Sequence, residues 1–257
     1  MALILFFPVF WMILSSFKTE GTAYTYPPQF VFDPTLSEYS QLFSSFQNIE
    51  KPLEHSIFTA LVSTGAVLVL GLPAAYALSV RPVKKWREVL LFFLATKMLP
   101  FVAAIVPIFI IAKDLHLLDN DWTLVILYTA MNLPIAVWMI RSFLSEVPLG
   151  LLEAARIDGA NLWVEIRRVI LPITAPGIAA TALICAIFAW NEFFYAQALT
   201  ATTATTLPVY LNSSLQSEGS FWAFLAAAAT VASLPVILAG WIAQKQLVRG
   251  LFMGALK

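Results

Sequence analysis

PLGLLEAARIDGANLWVEIRRVILP, residues 148–172, is the charged stretch that separates two strongly apolar parts of this chain. Pro148 fits the first turn of a helix, and residues 149–157 continue that helix without a breaker. Gly159 favours a stop because glycine tolerates the left-handed conformation. Asn161 is suited to cap a second helix. The stretch therefore predicts two short helices joined by a tight turn.

Long apolar stretches flank this segment and recur along the chain. Hydrophobic residues make up 60% of the 257 residues and charged residues 12%, whereas soluble domains carry about 25% charged residues. A helix needs about 20 mostly apolar residues to cross the hydrocarbon core. The sequence therefore predicts an all-α integral membrane protein with six transmembrane helices, over residues 2–17, 56–80, 89–112, 122–140, 172–198 and 221–243. The first stretch lacks the basic flank of a signal peptide, and we interpret it as the first span.

Basic residues are distributed unevenly between the connections, although 15 Lys and Arg balance 15 Asp and Glu over the whole chain. Eleven of them fall in one alternating set of connections and termini, three fall in the other set, and Lys97 lies within a span. Because basic residues stay on the cytoplasmic side, this distribution predicts that both termini and the 141–171 connection are cytoplasmic. The zero net charge gives no general attraction to nucleic acid.

This topology divides the chain into three parts. Residues 1–55 hold the first transmembrane helix and an external loop, in which a short helix is expected around residues 36–46. Residues 56–248 form a domain of five transmembrane helices, and residues 249–257 form a cytoplasmic tail.

The 141–171 connection is longer than a turn between adjacent helices requires, so we expect it to have a structure and a function of its own. Ala154 and Ala155 present a small surface, and Glu153 and Arg156 can bond across a contact. Such a helix is suited to dock in a groove of a soluble partner. An amphipathic helix resting at the lipid interface is the alternative.

The spacing in this connection resembles a known signature. Glu153-Ala154-Ala155, three residues, Gly159, nine residues and then 169–172 (VILP) resemble the EAA signature of permease subunits in binding-protein-dependent ABC importers. The departure is Val169, where that signature has isoleucine. Residues 157–160 (IDGA) and 188–192 (FAWNE) resemble the carbohydrate branch, in particular permeases of the maltose-system G type, and residues 7–18 and 250–257 extend that likeness to both ends of the chain.

The resemblance implies the type I permease fold of ABC importers and the import of a sugar or polyol across the bacterial inner membrane. It implies a second, non-identical permease, two ATPase subunits that bind ATP and Mg, and an external solute-binding protein. This chain would then be a transport subunit without catalytic residues or a cofactor of its own. By the same likeness, the residues that couple it to an ATPase subunit are Glu153, Ala154, Ala155, Asp158, Gly159 and Pro172.

Polar residues inside the predicted spans are costly and are therefore candidates for the substrate pathway. Lys97 could bond to substrate hydroxyls or to a gating partner, or form a structural pair with a carboxylate or with helix carbonyls. Glu192 and Asn191, with Tyr195 nearby, offer the carboxylate, amide and aromatic ring that a sugar site needs. A hydrogen-bond role within the helix bundle is the alternative for Glu192 and Asn191.

Prolines and small residues in the spans allow further interpretations. Pro100, Pro107 and the 132–134 (NLP) stretch either open a cavity in a discontinuous helix or form packing kinks. The alanine-rich residues 223–230 suit either a contact with a second permease or an internal packing face.

Other classes of protein lack their signatures in this sequence. It contains no P-loop motif for ATP and no G-x-S-x-G elbow, and its two histidines are far apart without the spacing of a zinc site. A secondary carrier driven by an ion gradient remains the alternative transporter, although no inverted repeat or internal acid relay is visible.

Overall fold

The computed structural model describes residues 2–44, 48–80, 83–97, 101–216 and 221–255. These residues are almost entirely helical. In chain order the helices are α1 (Ala2–Ser15), α2 (Glu20–Ala23), α3 (Ser37–Leu42), α4 (Glu50–Ser79), α5 (Trp86–Lys97), α6 (Phe101–Asp114), α7 (Asp121–Leu144), α8 (Leu149–Ile157), α9 (Leu162–Val164), a π-helical segment (Glu165–Ile170), α10 (Leu171–Trp190), α11 (Phe194–Leu199), α12 (Leu207–Gln216) and α13 (Trp222–Ala255).

Four segments of the described chain are helical, long and apolar enough to cross a membrane: Glu50–Ser79, Asp121–Leu144, Leu162–Trp190 and Trp222–Ile242. They correspond to four of the six predicted spans. α1 is apolar but shorter. The predicted 89–112 span is occupied by α5 and α6, and residues 98–100, including the predicted kink at Pro100, lie outside the described residues. α13 continues as helix into the predicted tail, whose residues 256–257 are also not described.

The predicted span over residues 172–198 differs from the structure at both ends. At its start, the π segment leads directly into α10, so the helical stretch begins at Leu162. At its end, α10 stops at Trp190. The Asn191 side chain bonds back to the last turn of α10 at 2.8 Å, and the Glu192 carboxylate accepts N–H groups of the next helix. Glu192 therefore lies in a turn rather than along the membrane-spanning helix.

The centre of the bundle is formed by α4, α7 and α10, and α13 packs against α10 and α1. One cluster of buried apolar side chains joins the C-terminal ends of α4 and α7 to α8 and the π segment. We call this end of the bundle the α8 end. A second cluster, which includes Leu124 and Tyr128 of α7 and Ala196 and Leu199 of α11, lies toward the opposite end.

Close packing explains several of the polar and small residues in the spans. A Cβ atom on Gly177 of α10 would clash with the Cγ, Cδ1 and Cδ2 atoms of Phe143 of α7, so only glycine fits without a rearrangement. Asn132 is fully buried and donates a hydrogen bond to the Cys185 carbonyl at 3.3 Å, while Pro134 lies within the continuous helix α7. The 132–134 stretch is therefore a packing feature rather than the opening of a cavity.

The alanine-rich part of α13 also packs inside the chain. Ala227 and Ala228 are fully buried, and Ala228 belongs to a cluster with Leu42 and Ile49 from the segment between α1 and α4. Of the two interpretations of residues 223–230, the internal packing face is the one that agrees with this burial.

Asp119 connects two loops at the end of the bundle opposite α8. Its carboxylate accepts hydrogen bonds from the backbone N–H groups of residues 201–204, at 2.9–3.3 Å. Burial raises the pKa of Asp119, but these donors together lower it by more, so the pKa lies well below its ordinary value. The loop before α7 and the loop before α12 are thereby held together by an ionised carboxylate.

Candidate functional site

α8 is fixed to the bundle on one side and exposed on the other. Leu152 is 1% exposed and packs in the cluster at the α8 end, whereas Glu153 and Ala154 are exposed. Two apolar side chains of the same helix, Leu151 and Ile157, are 48% and 85% exposed. An apolar surface with a carboxylate at its edge therefore faces away from the chain. This combination is typical of a helix that docks on a partner.

The turn after α8 has the conformation that the sequence predicts. Gly159 has φ +83°, and no atom lies within 4 Å of the place a Cβ would take, so the requirement for glycine is conformational rather than steric. The N–H of Ala160 reaches back to the Ala155 carbonyl at 2.9 Å, which closes the end of the helix. Asn161 then accepts the N–H of Val164 at 3.0 Å, which confirms its predicted role as a cap.

The residue with the most consequential contacts in this region is Glu165, at the start of the π segment. Its carboxylate is 1% exposed and accepts two hydrogen bonds from Arg156, from Nε at 2.8 Å and from Nη2 at 2.9 Å. Its Oε1 atom also accepts the hydroxyl of Tyr76 at 2.9 Å. These hydrogen bonds raise the pKa of Arg156. Arg156 therefore bonds within its own chain, whereas the sequence indicated a bond across an intermolecular contact.

The six residues expected to couple the chain to an ATPase subunit lie in two places. Glu153, Ala154, Asp158 and Gly159 are exposed on α8 or its following turn, and Ala155 is partly buried there. Pro172 lies in the first turn of α10, directly after the π segment and within the helical stretch that begins at Leu162. The first five form one surface, and Pro172 lies apart from it in the membrane-spanning stretch.

Lys97 is the last residue of α5. Its ammonium group lies over the Phe188 ring of α10, at 5.7 Å from the ring centroid, which is a cation–π distance. No ion pair or hydrogen bond of Lys97 with a carboxylate occurs in the described part of the chain. The structure therefore does not bring Lys97 and Glu192 together.

Glu192, Asn191 and Tyr195 lie close together, but their polar groups bond mainly to the backbone. The Glu192 carboxylate caps α11 by accepting the N–H groups of Tyr195 at 2.9 Å and Ala196 at 3.2 Å. The Tyr195 side chain is 7% exposed within the apolar cluster that includes Tyr128. Asn191 is exposed and lines a cavity of about 350 Å³. This geometry agrees with the bundle alternative for Glu192 and leaves Asn191 accessible.

Glu165, Tyr76 and Asp119 were not predicted from the sequence to have a role. Glu165 carried a signal, because it is the only acidic residue between Gly159 and Pro172 and lies among apolar and basic residues. Tyr76 carried none, since nothing in an apolar helix indicates which tyrosine meets a carboxylate far along the chain. Asp119 resembles any polar residue in a short loop.

Comparison with known proteins agrees with this arrangement. Residues 67–252 match the family model described as binding-protein-dependent transport system inner membrane component. The probable ABC transporter permease protein y4oR of Sinorhizobium fredii is 35% identical over 257 residues, which cover 100% of this chain and 92% of that protein. The trehalose/maltose transport system permease protein MalG of Thermococcus litoralis is 32% identical over 261 residues, which cover 100% of this chain and 93% of that protein.

A solved structure has the same fold. A chain in the crystal structure of a bacterial ABC transporter involved in the import of the acidic polysaccharide alginate superimposes with a TM-score of 0.76 at 25% sequence identity. The match covers 95% of this chain and 91% of that one. The chain therefore belongs to the binding-protein-dependent transport system inner membrane components, and it is a multi-pass permease of an ABC transporter rather than an enzyme.

Proposed function

We propose that this permease imports a sugar, a polyol or a derivative of one. It would act beside a second, non-identical permease, with two ATPase subunits on one side of the membrane and a solute-binding protein on the other. The similarity to a trehalose/maltose permease and to an alginate importer supports the carbohydrate class. The exposed apolar face of α8 carries the proposal of an ATPase partner, because it offers a docking surface in the longest of the connections that the charge distribution assigns to the cytoplasm.

We further propose six spans with both termini and α8 in the cytoplasm. In this topology α1 is the first span, and α5 with α6 forms one interrupted span. The excess of basic residues near the α8 end supports the orientation, because such residues stay on the cytoplasmic side. The loops joined by Asp119 then face the solute-binding protein.

Within this scheme, Glu153, Ala154, Ala155, Asp158 and Gly159 form the surface that enters a cleft of an ATPase subunit, and Pro172 fixes the start of the helix behind it. Movement of the ATPase pair would then shift the permease helices as rigid bodies between inward and outward arrangements.

Four residues form the proposed substrate pathway. Asn191 is the best placed of them to contact a hydroxyl, since it is exposed to a cavity beside Trp190. Glu192 and Tyr195 would shape that wall through their contacts with α11 and the apolar cluster. Lys97, at the end of α5, contacts Phe188 of α10, two residues before that helix ends.

Affinity purification and uptake measurements test the proposed function together. A tagged chain should co-purify with an ATPase subunit and a second permease, and the assembly should take up solute only with ATP and the solute-binding protein. Glu153→Lys should abolish uptake, whereas Glu146→Lys, at an exposed carboxylate just before α8, should not. Purification of the chain alone with ATP-independent uptake would identify a secondary carrier instead, and uptake unaffected by Glu153→Lys would refute the role of α8.

A further inference from the structure

Glu165 lies where three separate elements of the α8 end meet. Arg156 belongs to α8, Tyr76 belongs to α4, and Glu165 opens the π segment that leads into α10. The three side chains are joined by hydrogen bonds of 2.8–2.9 Å through one buried carboxylate. We call these three residues the Glu165 junction.

Because the Glu165 carboxylate is buried, the junction fixes how its three elements are oriented relative to one another. A carboxylate that is 1% exposed must be satisfied by donors in fixed positions, and here both oxygens are used. The guanidinium of Arg156 approaches in the bidentate geometry, which fixes orientation as well as distance. An apolar contact tolerates sliding, whereas this arrangement breaks if α8 rotates relative to α4.

Among the described residues, α8 has one fully buried side chain to anchor it besides the junction. Leu152 is the buried residue of this helix, and Ala155 is partly buried. Its larger apolar side chains, such as Leu151 and Ile157, are exposed. The chain between α8 and the π segment contains a tight turn at Gly159 and the short helix α9. The junction spans this connection and ties the two ends of it to α4.

We propose that Tyr76, Arg156 and Glu165 are positioning residues that transmit displacement of α8 to α4 and to the start of α10. This inference rests on the proposed function, because α8 must be moved by an ATPase subunit. With the junction intact, α8, α4 and the head of α10 move as one body. Without it, α8 still docks and follows the ATPase, but the membrane helices follow incompletely.

The test compares uptake with ATP hydrolysis in the complete assembly reconstituted in liposomes. Tyr76→Phe removes one hydroxyl, and Glu165→Gln removes the charge while nearly keeping the shape. A hydrogen bond to a buried charge is strong enough for its loss to change an equilibrium about tenfold, so solute transported per ATP hydrolysed should fall about tenfold in Glu165→Gln. Hydrolysis stimulated by the solute-binding protein should stay within about twofold of the wild type if docking is preserved. Glu88→Gln breaks an exposed ion pair with Lys85 near the same end and should leave the ratio unchanged.

A double variant provides a readout that a merely structural role would not move. If the hydroxyl acts through the carboxylate, Tyr76→Phe combined with Glu165→Gln should lower the transport ratio no further than Glu165→Gln alone. Multiplied losses would show independent effects and would overturn the inference.

The other outcomes also decide the question. If uptake falls in the same proportion as ATP hydrolysis, or if neither changes, the solute transported per ATP hydrolysed stays the same. That result would overturn the inference. If Glu165→Gln fails to assemble, the transport ratio of Tyr76→Phe tests the inference. If both variants fail to assemble, the junction is needed for assembly rather than for transmission, and the inference is overturned. A wild-type assembly without ATP-driven uptake would refute the proposed function itself, whereas wild-type uptake with unaltered ratios in the variants would refute only the junction.

Discussion

The contact of Gly177 with Phe143 predicts that Gly177→Ala destabilises the bundle. The nearest ring atom to the new methyl group would be Cγ, which does not move when the ring turns about its own axis. Phe143 must therefore change its χ1 rotamer, or α7 and α10 must separate. Overpacking of this kind costs about 1–3 kcal/mol.

Gly65→Ala is the matched control, because Gly65 lies within α4 and no atom lies within 4 Å of its Cβ position. There the substitution should stabilise the helix by about 0.5–1 kcal/mol, since alanine loses less conformational entropy than glycine on folding. Gly177 also lies within a helix and receives the same gain, so the two variants should differ by the overpacking cost of about 1–3 kcal/mol.

Thermal unfolding of the purified permease in detergent measures this difference. In domains of about 150–250 residues, 1 kcal/mol shifts the melting temperature by about 2–4 °C, so Gly177→Ala should melt at least about 2 °C below Gly65→Ala. Phe143→Ala removes the ring, and Gly177→Ala should then cost nothing further in the double variant. Equal melting temperatures for the two alanine variants, or an undiminished cost in the absence of the ring, would refute this account of the packing.

The remaining predictions concern three other positions. Gly159→Ala places a Cβ in the left-handed region at a cost of about 1–2 kcal/mol and should speed amide hydrogen exchange at the end of α8 about 5–30-fold, whereas Gly150→Ala within the same helix should not. The pKa of Asp119 is lower in the folded chain than in the unfolded chain, so the Asp119 carboxylate stabilises the fold above the unfolded pKa of about 4. This stabilisation is lost as the pH falls below about 4 toward the folded pKa. Asp119→Asn should therefore flatten the dependence of melting temperature on pH in that range. Leu152→Ala removes a buried side chain and should destabilise the α8 end by about 2–5 kcal/mol. Leu151→Ala changes a side chain that is 48% exposed and should cost much less. Equal melting temperatures for the two variants would contradict the anchoring role of Leu152.

Local signals predicted much of the fold. The apolar stretches located four spans, because a membrane helix satisfies its own backbone and needs little from its neighbours. Gly159 and Asn161 located the turn after α8 for a similar reason, since caps depend on adjacent residues. The end of α10 at Trp190 was missed because Asn191 and Glu192 stop the helix with side-chain hydrogen bonds, without a glycine or proline to mark the place.

The candidate site was predictable only where it is exposed. The face of α8 follows from a contiguous motif. The Glu165 junction joins Tyr76 to a residue 89 positions away, and such a pairing depends on how α4 packs against the α8 end. The hydrogen bonds of Glu192 were also not predictable, since its residue type suits a sugar site whereas the turn before α11 uses the carboxylate for its own N–H groups.

The π-helical segment lets the chain vary in length beside the junction. A π turn accommodates one residue more than an α turn does, so the extra residue is taken up within the wider turn. Deleting one residue from 166–170 would leave a regular α turn there and would change the phase of the helices on either side little. In a regular α-helix the same deletion would turn everything before it by about 100°. A homologue that is one residue shorter in this segment can thus keep the contact between Glu165 and Tyr76.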